Sequence, residues 1–254
     1  MKPWALFSHS VGMLVRNFGD LLRVFLVPTL LIVAILATFL NSTGLWADMQ
    51  LGVVTLLPEG SGLLGPMFLV VALSLLIGMW SVVAWHRFVL LEEIPQGWVP
   101  PLQGDRVLAY LGRSLQIVLV LICLMLSVVL VAMLFATILS GAGAPALSLL
   151  DLPLSIVVTY FVLRLSVLLP AAALGAAMGL REAWNTTSGA FGDLLGLSAI
   201  LVALQYAAQF ILDSTAGSPT IAAVLSLVVS VALSLINISL LTTLFGHYAE
   251  GRPI

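Results

Sequence analysis

Four polar residues set inside long apolar stretches are the side chains of this sequence that could do chemistry. Arg164 is the one charged residue well inside such a stretch, Gln205 and Gln209 lie one helical turn apart, and Asn237 follows further along the chain. Polar groups in membrane-type segments are costly and usually face other helices. The four side chains therefore predict either hydrogen bonds that hold helices together or a route for a polar solute.

Arg164 itself has two interpretations. If its helix begins near Leu147, the guanidinium lies close enough to the end of that helix to reach lipid headgroups along its own aliphatic chain. Alternatively, the side chain points inward and binds an anionic headgroup or a partner residue. Both interpretations stay open at the level of the sequence.

A second set of polar residues belongs to a motif that occurs twice. Phe-Gly-Asp-Leu-Leu covers residues 18–22 and 191–195, in each case at the start of an apolar stretch. Asp20 and Asp193 are expected to cap exposed amides and to meet the positive end of the helix dipole. Gly19 and Gly192 are expected to permit the turn into the helix. Both aspartates lie at the edge of an apolar stretch, so a structural role is predicted rather than the chemistry of an intramembrane aspartyl protease.

Spacings typical of catalytic or metal sites are missing from the sequence. His9, His86 and His247 form neither an H-x-x-x-H nor an H-E-x-x-H pair, and no phosphate-binding loop or G-x-S-x-G turn occurs. Cys123 has no charged neighbour that would activate its thiol. The sequence predicts no enzymatic activity, no cofactor and no metal ion.

The composition limits the class of protein. Of the 254 residues, 61% are hydrophobic and 8% are charged, whereas a soluble domain carries about 25% charged residues. The polar side chains are too few to cover a water-facing surface, which excludes an ordinary soluble enzyme. The formal net charge of −2 gives no basic footprint for nucleic acid. Membrane lipids are the expected surroundings.

Six apolar stretches are long enough to cross a bilayer, which takes about 20 residues in a helix. We therefore predict an all-α polytopic membrane protein, a single integral domain over residues 1–254. Pro28 is expected to kink its helix, and Pro170 to end the fourth span. The predicted spans are about 21–40, 63–85, 114–140, 147–169, 194–212 and 220–246.

The basic residues set the orientation of these spans. The connections at 41–62, 141–146 and 213–219 contain no Lys or Arg, and every basic residue outside the spans lies on the opposite side. Lys and Arg accumulate in cytoplasmic loops, so both termini are predicted to be cytoplasmic. Trp46, Trp85 and Trp98 fall near predicted boundaries, where indole rings favour the headgroup level.

Each copy of the repeated motif follows a stretch that predicts an amphipathic helix, about residues 3–17 and 180–190. The internal repeat is thus an amphipathic cytoplasmic helix followed by a transmembrane hairpin. Such helices lie in the plane of the membrane interface, where they brace the bundle or, alternatively, sense curvature or dock a partner. The predicted apolar face of the first helix consists of Trp4, Phe7, Val11, Leu14 and Phe18.

Stripes of small residues predict close helix packing. Gly192 and Gly196 form a G-x-x-x-G pair, and the last span carries a small residue every four positions from Ala222 to Ser234. Small side chains let helix backbones approach one another in lipid. A tight bundle argues against a wide aqueous channel; packing within the chain is expected, with a homo-oligomer as the alternative.

The stretch Arg164–Pro170, the stretch Gly179–Trp184 and the Phe-Gly-Asp helix after them together resemble a family of small bacterial inner-membrane proteins. The family includes the membrane domain attached to some glycerophosphodiester phosphodiesterases and free-standing relatives of unassigned function. The resemblance covers mainly residues 150–215. It implies a multi-pass protein of the bacterial inner (plasma) membrane, and no activity, because the hydrolase of those relatives is a separate soluble domain.

These features predict a non-enzymatic inner-membrane protein, an accessory component in envelope or lipid homeostasis. The alternative is a carrier or channel for a small or amphiphilic solute, lined by Arg164, Gln205, Gln209 and Asn237. The transport alternative requires the four side chains to converge in space. Membrane lipids, a membrane-protein partner or a second copy of the chain are the expected partners.

Overall fold

A computed structural model describes residues 2–45, 62–138, 151–215 and 217–254. This part of the chain is helical and contains no β-strand, and residues Ser188–Ala190 form a short 3-10 turn. The helices are α1 (Lys2–Arg16), α2 (Phe18–Thr43), α3 (Leu64–Leu91), α4 (Gly104–Ile138), α5 (Asp151–Ser166), α6 (Leu168–Leu174), α7 (Leu180–Thr186), α8 (Phe191–Asp213) and α9 (Pro219–Tyr248).

Six of these helical segments are long and apolar enough to cross a membrane. They are α2, α3, the first 27 residues of α4, α5 together with α6, α8 with the turn before it, and α9. The prediction of an all-α polytopic membrane protein is confirmed. Helix is the form that such apolar segments must take, because in lipid each backbone amide has to find its partner within the segment.

The fourth span differs from its prediction in one respect. The helix breaks at Val167, between α5 and α6, and Pro170 lies inside α6 rather than at the end of the span. The proline ring excludes a helical hydrogen bond to the carbonyl four residues earlier, which is that of Ser166. The break therefore falls one turn before the proline. Pro28, in contrast, lies within a continuous α2.

The chain divides into two compact units, a smaller one of residues Arg16–Leu111 and a larger one of Met1–Val15 with Gly112–Ile254. In the smaller unit α2 packs along α3. Trp85 is fully buried there, with its ring centroid 6.0 Å from that of Phe25 and 5.5 Å from that of Phe88. Trp85 therefore packs within the protein rather than on its surface, and its level in the membrane stays a prediction. Trp98 is exposed, and Trp46 lies outside the described residues.

In the larger unit α5 packs along α8, and α1 lies against the last turns of α9. Three buried hydroxyls join α1 to α9. The Ser10 hydroxyl donates a hydrogen bond to Thr243 Oγ1 (2.9 Å), and Ser239 Oγ donates to the Ser10 carbonyl (2.8 Å). Hydrogen bonds of this kind hold helices together where the surroundings offer no water.

The buried residues of α1 are Leu6, Ser10 and Met13, none of which belongs to the predicted apolar face. On that face Trp4 is exposed, the other α1 residues are half-buried, and Phe18 is the exposed first residue of α2. The predicted face thus flanks the side of α1 that contacts α9.

One member of the predicted G-x-x-x-G pair makes a close helix contact. A Cβ atom on Gly196 would lie 2.8 Å from Pro3 Cγ, so α1 passes directly over α8 at this point. Nothing lies within 4 Å of the same position on Gly192. In the stripe on α9, Ser230 and Ser234 are exposed within the described part of the chain, whereas Ala222 and Ser226 are half-buried.

Candidate functional site

Arg164 is buried near the end of α5, with 7% of its surface exposed. Each guanidinium nitrogen donates one hydrogen bond: Nε to Thr187 Oγ1 (3.2 Å), Nη1 to Tyr160 Oη (3.2 Å) and Nη2 to the Trp184 carbonyl (2.7 Å). The guanidinium carbon also lies 3.5 Å from the centroid of the Trp184 ring. The side chain therefore points into the protein, and the interpretation in which it extends to the headgroups does not apply.

The partners of Arg164 come mainly from α7 and the residue that follows it. Gly179 N–H donates to Glu182 Oε2 (3.4 Å) at the start of α7, and Thr187 Oγ1 donates to the Ala183 carbonyl (3.0 Å) at its end. These contacts fix a two-turn helix whose last carbonyls would otherwise lack donors. Arg164 satisfies one of them, and among the described residues no carboxylate lies within 4 Å of it. The arrangement fastens α7 onto α5.

A polar cleft of about 480 Å³ lies at the other end of α5, between α5 and α8. Asp151, Ser155 and Thr159 recur every four residues along one face of α5 and line the cleft. Gln205, Tyr206 and Gln209 line it from α8. We call this space the Asp151 cleft. Its remaining walls are apolar and consist of Met125, Leu154, Val158 and Val202.

A smaller cavity of about 200 Å³ adjoins the Asp151 cleft. Thr159 and Gln205 line both spaces, and Asn237 of α9 lines the smaller one. Three of the four polar residues singled out in the sequence thus lie along two neighbouring spaces. Arg164 lines neither of them. The four side chains do not converge as the transport alternative requires, although the two glutamines and the asparagine lie together.

Hydrogen bonds within the Asp151 cleft leave oxygen acceptors exposed. The Tyr206 hydroxyl donates to a carboxylate oxygen of Asp151, and Gln209 Nε2 donates to Asp213 Oδ1 (2.8 Å). Asn237 Nδ2 donates to the carbonyl of Leu233 (2.8 Å). In Gln209 and Asn237 the amide nitrogen is engaged, and the oxygen can still accept a hydrogen bond. Among the described residues that line the two spaces there is no Lys, Arg or His, so Asp151 supplies their one charge among hydroxyl and amide groups.

Asp151, Ser155, Thr159 and Tyr206 were not predicted from the sequence. Their signal is visible there, since a polar residue every four positions marks one helix face. Asp151 stands at the first turn of α5, four residues after the predicted start of the span. The span is recognised from its apolar residues, and the few polar residues on one of its faces do not change that pattern.

The repeated motif begins a long helix in both copies, at Phe18 and at Phe191. Asp20 and Asp193 lie in the first turn, where the dipole favours a carboxylate. Neither makes the predicted capping hydrogen bond: Asp20 pairs with Arg23 (3.0 Å), and Asp193 accepts a hydrogen bond from the Tyr248 hydroxyl (3.3 Å).

Gly19 and Gly192 do not have left-handed backbone conformations. In the described chain other glycines and Glu92 have them. The prediction that they permit the turn into the helix is therefore wrong. The turn is made at Asn17 and at Ala190, whose φ angles are −108° and −100°.

The smaller unit contains a cavity of about 550 Å³ beneath the connection between α3 and α4. Arg87 and Glu93 line it and pair with each other, with Arg87 Nε 2.9 Å from Glu93 Oε2. Trp80 Nε1 donates to the Pro101 carbonyl (3.3 Å) and fastens the far end of the connection. The charges of this cavity thus satisfy each other.

No cluster of three or more His, Cys, Asp or Glu side chains that could hold a metal ion occurs in the part of the chain that the structure describes. No protein-family model, curated protein or solved structure matches this chain. The resemblance to the membrane domain of glycerophosphodiester phosphodiesterases stays a prediction.

Proposed function

We propose that this chain is a non-enzymatic integral protein of the bacterial inner membrane, an accessory component in envelope or lipid homeostasis. The observation that carries the proposal is the state of Arg164. The one charge well inside a span has its three nitrogens bonded to Tyr160, Trp184 and Thr187 of the same chain. A charge used in this way stabilises the fold and is not available to a substrate.

The lining of the clefts supports the same proposal. Acid–base or nucleophilic catalysis needs a nucleophile and a base within hydrogen-bond reach of each other. Asp151 faces a tyrosine hydroxyl, and neither a second carboxylate nor a histidine lies among the described residues around it. The arrangement suits binding rather than bond cleavage.

The orientation with both termini in the cytoplasm belongs to this proposal. The distribution of Lys and Arg supports it, because basic residues stay on the cytoplasmic side. In that orientation the exposed Trp4 of α1 and the exposed Phe18 at the start of α2 lie in the inner headgroup region as part of the repeated amphipathic unit. Single cysteines at positions 2 and 254 in a Cys123→Ser background, labelled in intact cells, test this orientation. Labelling of either terminus from the periplasm would contradict it.

Complementation of a deletion strain tests the proposed function. We expect loss of the protein to sensitise the envelope to detergents, and the Asp151→Asn variant to restore resistance. Arg164→Met should fail to restore it, because that variant loses the attachment of α7. Arg181→Met on the exposed side of α7 is the matched control and should complement fully. A strain that tolerates the deletion but loses uptake of a solute would contradict the accessory role.

A carrier for a small or amphiphilic solute is the second candidate. The specific observation in its favour is that Gln205, Gln209 and Asn237 line two neighbouring spaces between spans. Purified protein in liposomes tests it by measuring solute entry. Entry that depends on Asp151 and is absent from empty liposomes would support the carrier, and equal entry in both would exclude it.

A further inference from the structure

We propose that the Asp151 cleft binds a small organic ammonium ion with a short alkyl chain. The proposal concerns the same cleft as the carrier candidate and requires binding alone. It names the chemistry that the lining residues recognise.

The charge of the cleft selects for a cation. The carboxylate of Asp151 has no basic group within 4 Å among the described residues, and a tyrosine hydroxyl is its hydrogen-bond partner. The other polar lining residues include Gln209, whose amide nitrogen donates to Asp213 and whose amide oxygen can accept a hydrogen bond. Acceptor oxygens around a single negative charge match a donor-rich cation and repel an anion.

The size and walls of the cleft favour an organic cation over a metal ion. Calcium is bound by six to eight oxygens, usually with several carboxylates among them, and this cleft offers one carboxylate. Its volume of about 480 Å³ leaves room for more than a bare ion. Leu154, Val158 and Val202 form an apolar wall beside the carboxylate, which suits an alkyl chain. The Tyr206 ring supplies a π face, which attracts an ammonium group.

The position of the cleft gives a reason for a polar occupant. Gln205, Tyr206 and Gln209 belong to an apolar span, are exposed and line the cleft. Polar side chains within a span usually face a protein interior or a space filled with water, because contact with hydrocarbon is costly. An amphiphilic ammonium ion satisfies both the acceptors and the apolar wall.

Three ligands with the same carbon chain and different charge test the proposal: butylammonium, butanol and butyrate. Binding to the full-length protein in lipid nanodiscs is measured by titration calorimetry, and empty nanodiscs correct for partition into lipid. We expect butylammonium to bind about tenfold more tightly than butanol, since an added charged hydrogen bond has this order of effect. Butyrate should bind more weakly than either.

Variants locate the site. Asp151→Asn should reduce the affinity for butylammonium about tenfold, to that of butanol. Asp105→Asn is the matched control, because Asp105 also lies in the first turn of an apolar helix, and it should leave the affinity unchanged. Gln205→Leu keeps the size of the side chain and removes an acceptor, so it should weaken butylammonium by about threefold. This second variant tests the site if Asp151→Asn does not fold.

Equal affinity for all three ligands, a preference for butyrate, or no binding would overturn the proposal. So would tight butylammonium binding that Asp151→Asn and Gln205→Leu both leave unchanged. Binding without entry into liposomes would exclude the carrier and leave this inference intact. Entry of another solute without ammonium binding would support the carrier and overturn this inference.

Discussion

The two ends of the larger unit differ in whether their polar groups are enclosed by the protein or left accessible. At one end, which we call the packed end, Arg164, the hydroxyls of Ser10 and Thr243, and Gly196 are enclosed by neighbouring helices. At the other, the open end, the polar face of α5 and the glutamines of α8 line an accessible cleft. A polar group bonded within its own chain holds the fold, whereas a group left accessible can recognise something else. The contrast separates polar groups that hold helices together from polar groups that are accessible for binding.

The distribution of burial follows the same division. In α9 the buried residues run from Ser239 to Gly246, and none is buried between Ile221 and Ile238. In α5 they begin only at Tyr160, nine residues after the helix starts. We therefore expect substitutions at the packed end to change stability and substitutions at the open end to change binding.

The largest effect should come from Arg164→Met. The change leaves the Trp184 carbonyl, the Tyr160 hydroxyl and the Thr187 hydroxyl without their charged donor, and we expect a loss of about 3 kcal/mol in the free energy of unfolding. Unfolding in mixed micelles, followed by tryptophan fluorescence, measures it. Arg164→Lys keeps the charge without the planar fork and should recover only part of the loss. A free energy of unfolding equal to that of the wild type would contradict a structural role for Arg164.

The next effect tests the contact between α1 and α8. Gly196→Ala places a methyl group 2.8 Å from the ring of Pro3, and overpacking of this kind costs about 1–3 kcal/mol. Gly192→Ala is the matched control on the same helix, where the added methyl group meets nothing within 4 Å. That variant should gain up to about 1 kcal/mol from helix propensity. The same measurement should show a lower free energy of unfolding for Gly196→Ala and a higher one for Gly192→Ala. Changes in the same direction would contradict the contact.

A smaller effect is expected at the hydroxyls between α1 and α9. Ser10→Ala removes the hydrogen bond to Thr243 and should cost about 1 kcal/mol, a typical value for a bond between membrane helices. Ser8→Ala, on the exposed side of the same helix, should cost nothing measurable because its hydroxyl bonds only to the carbonyl of Ala5. Equal losses in both variants would show that the effect belongs to α1 in general.

The smallest effect on stability should come from the open end. Asp151→Asn changes an exposed side chain, and exposed positions usually tolerate such changes. We expect no measurable change in the free energy of unfolding, together with the loss of ammonium binding described above. A large loss of stability would show that Asp151 also holds the fold, and it would contradict the contrast between the two ends.

The spans could be predicted from the sequence because hydropathy and length alone decide whether a helix can cross a bilayer. Their ends could not, since α4 begins ten residues before the predicted span and includes Asp105 and Arg106. Arg is a good helix former, and a carboxylate in the first turn is favoured by the helix dipole. Hydropathy reports where a helix enters the apolar region and does not report where the helix starts.

The candidate site was predictable only in part. The shared face of Gln205 and Gln209 follows from their spacing on one helix. The proximity of Asn237 to Gln205 depends on how α9 packs against α8, which no periodicity reveals. Two of the three partners of Arg164 lie 20 and 23 residues further along the chain, beyond a helix break, so its burial could not be read from local sequence.

The hydrogen bond between Ser10 and Thr243 joins residues 233 positions apart. A ribosome adds about 5–20 residues per second, so the first helix waits roughly 10 to 50 seconds for its partner to be made. During that time Ser10 has no Thr243 to bond with. α1 thus reaches its final place only after α9 has been synthesised, although about 200 residues separate the two helices along the chain.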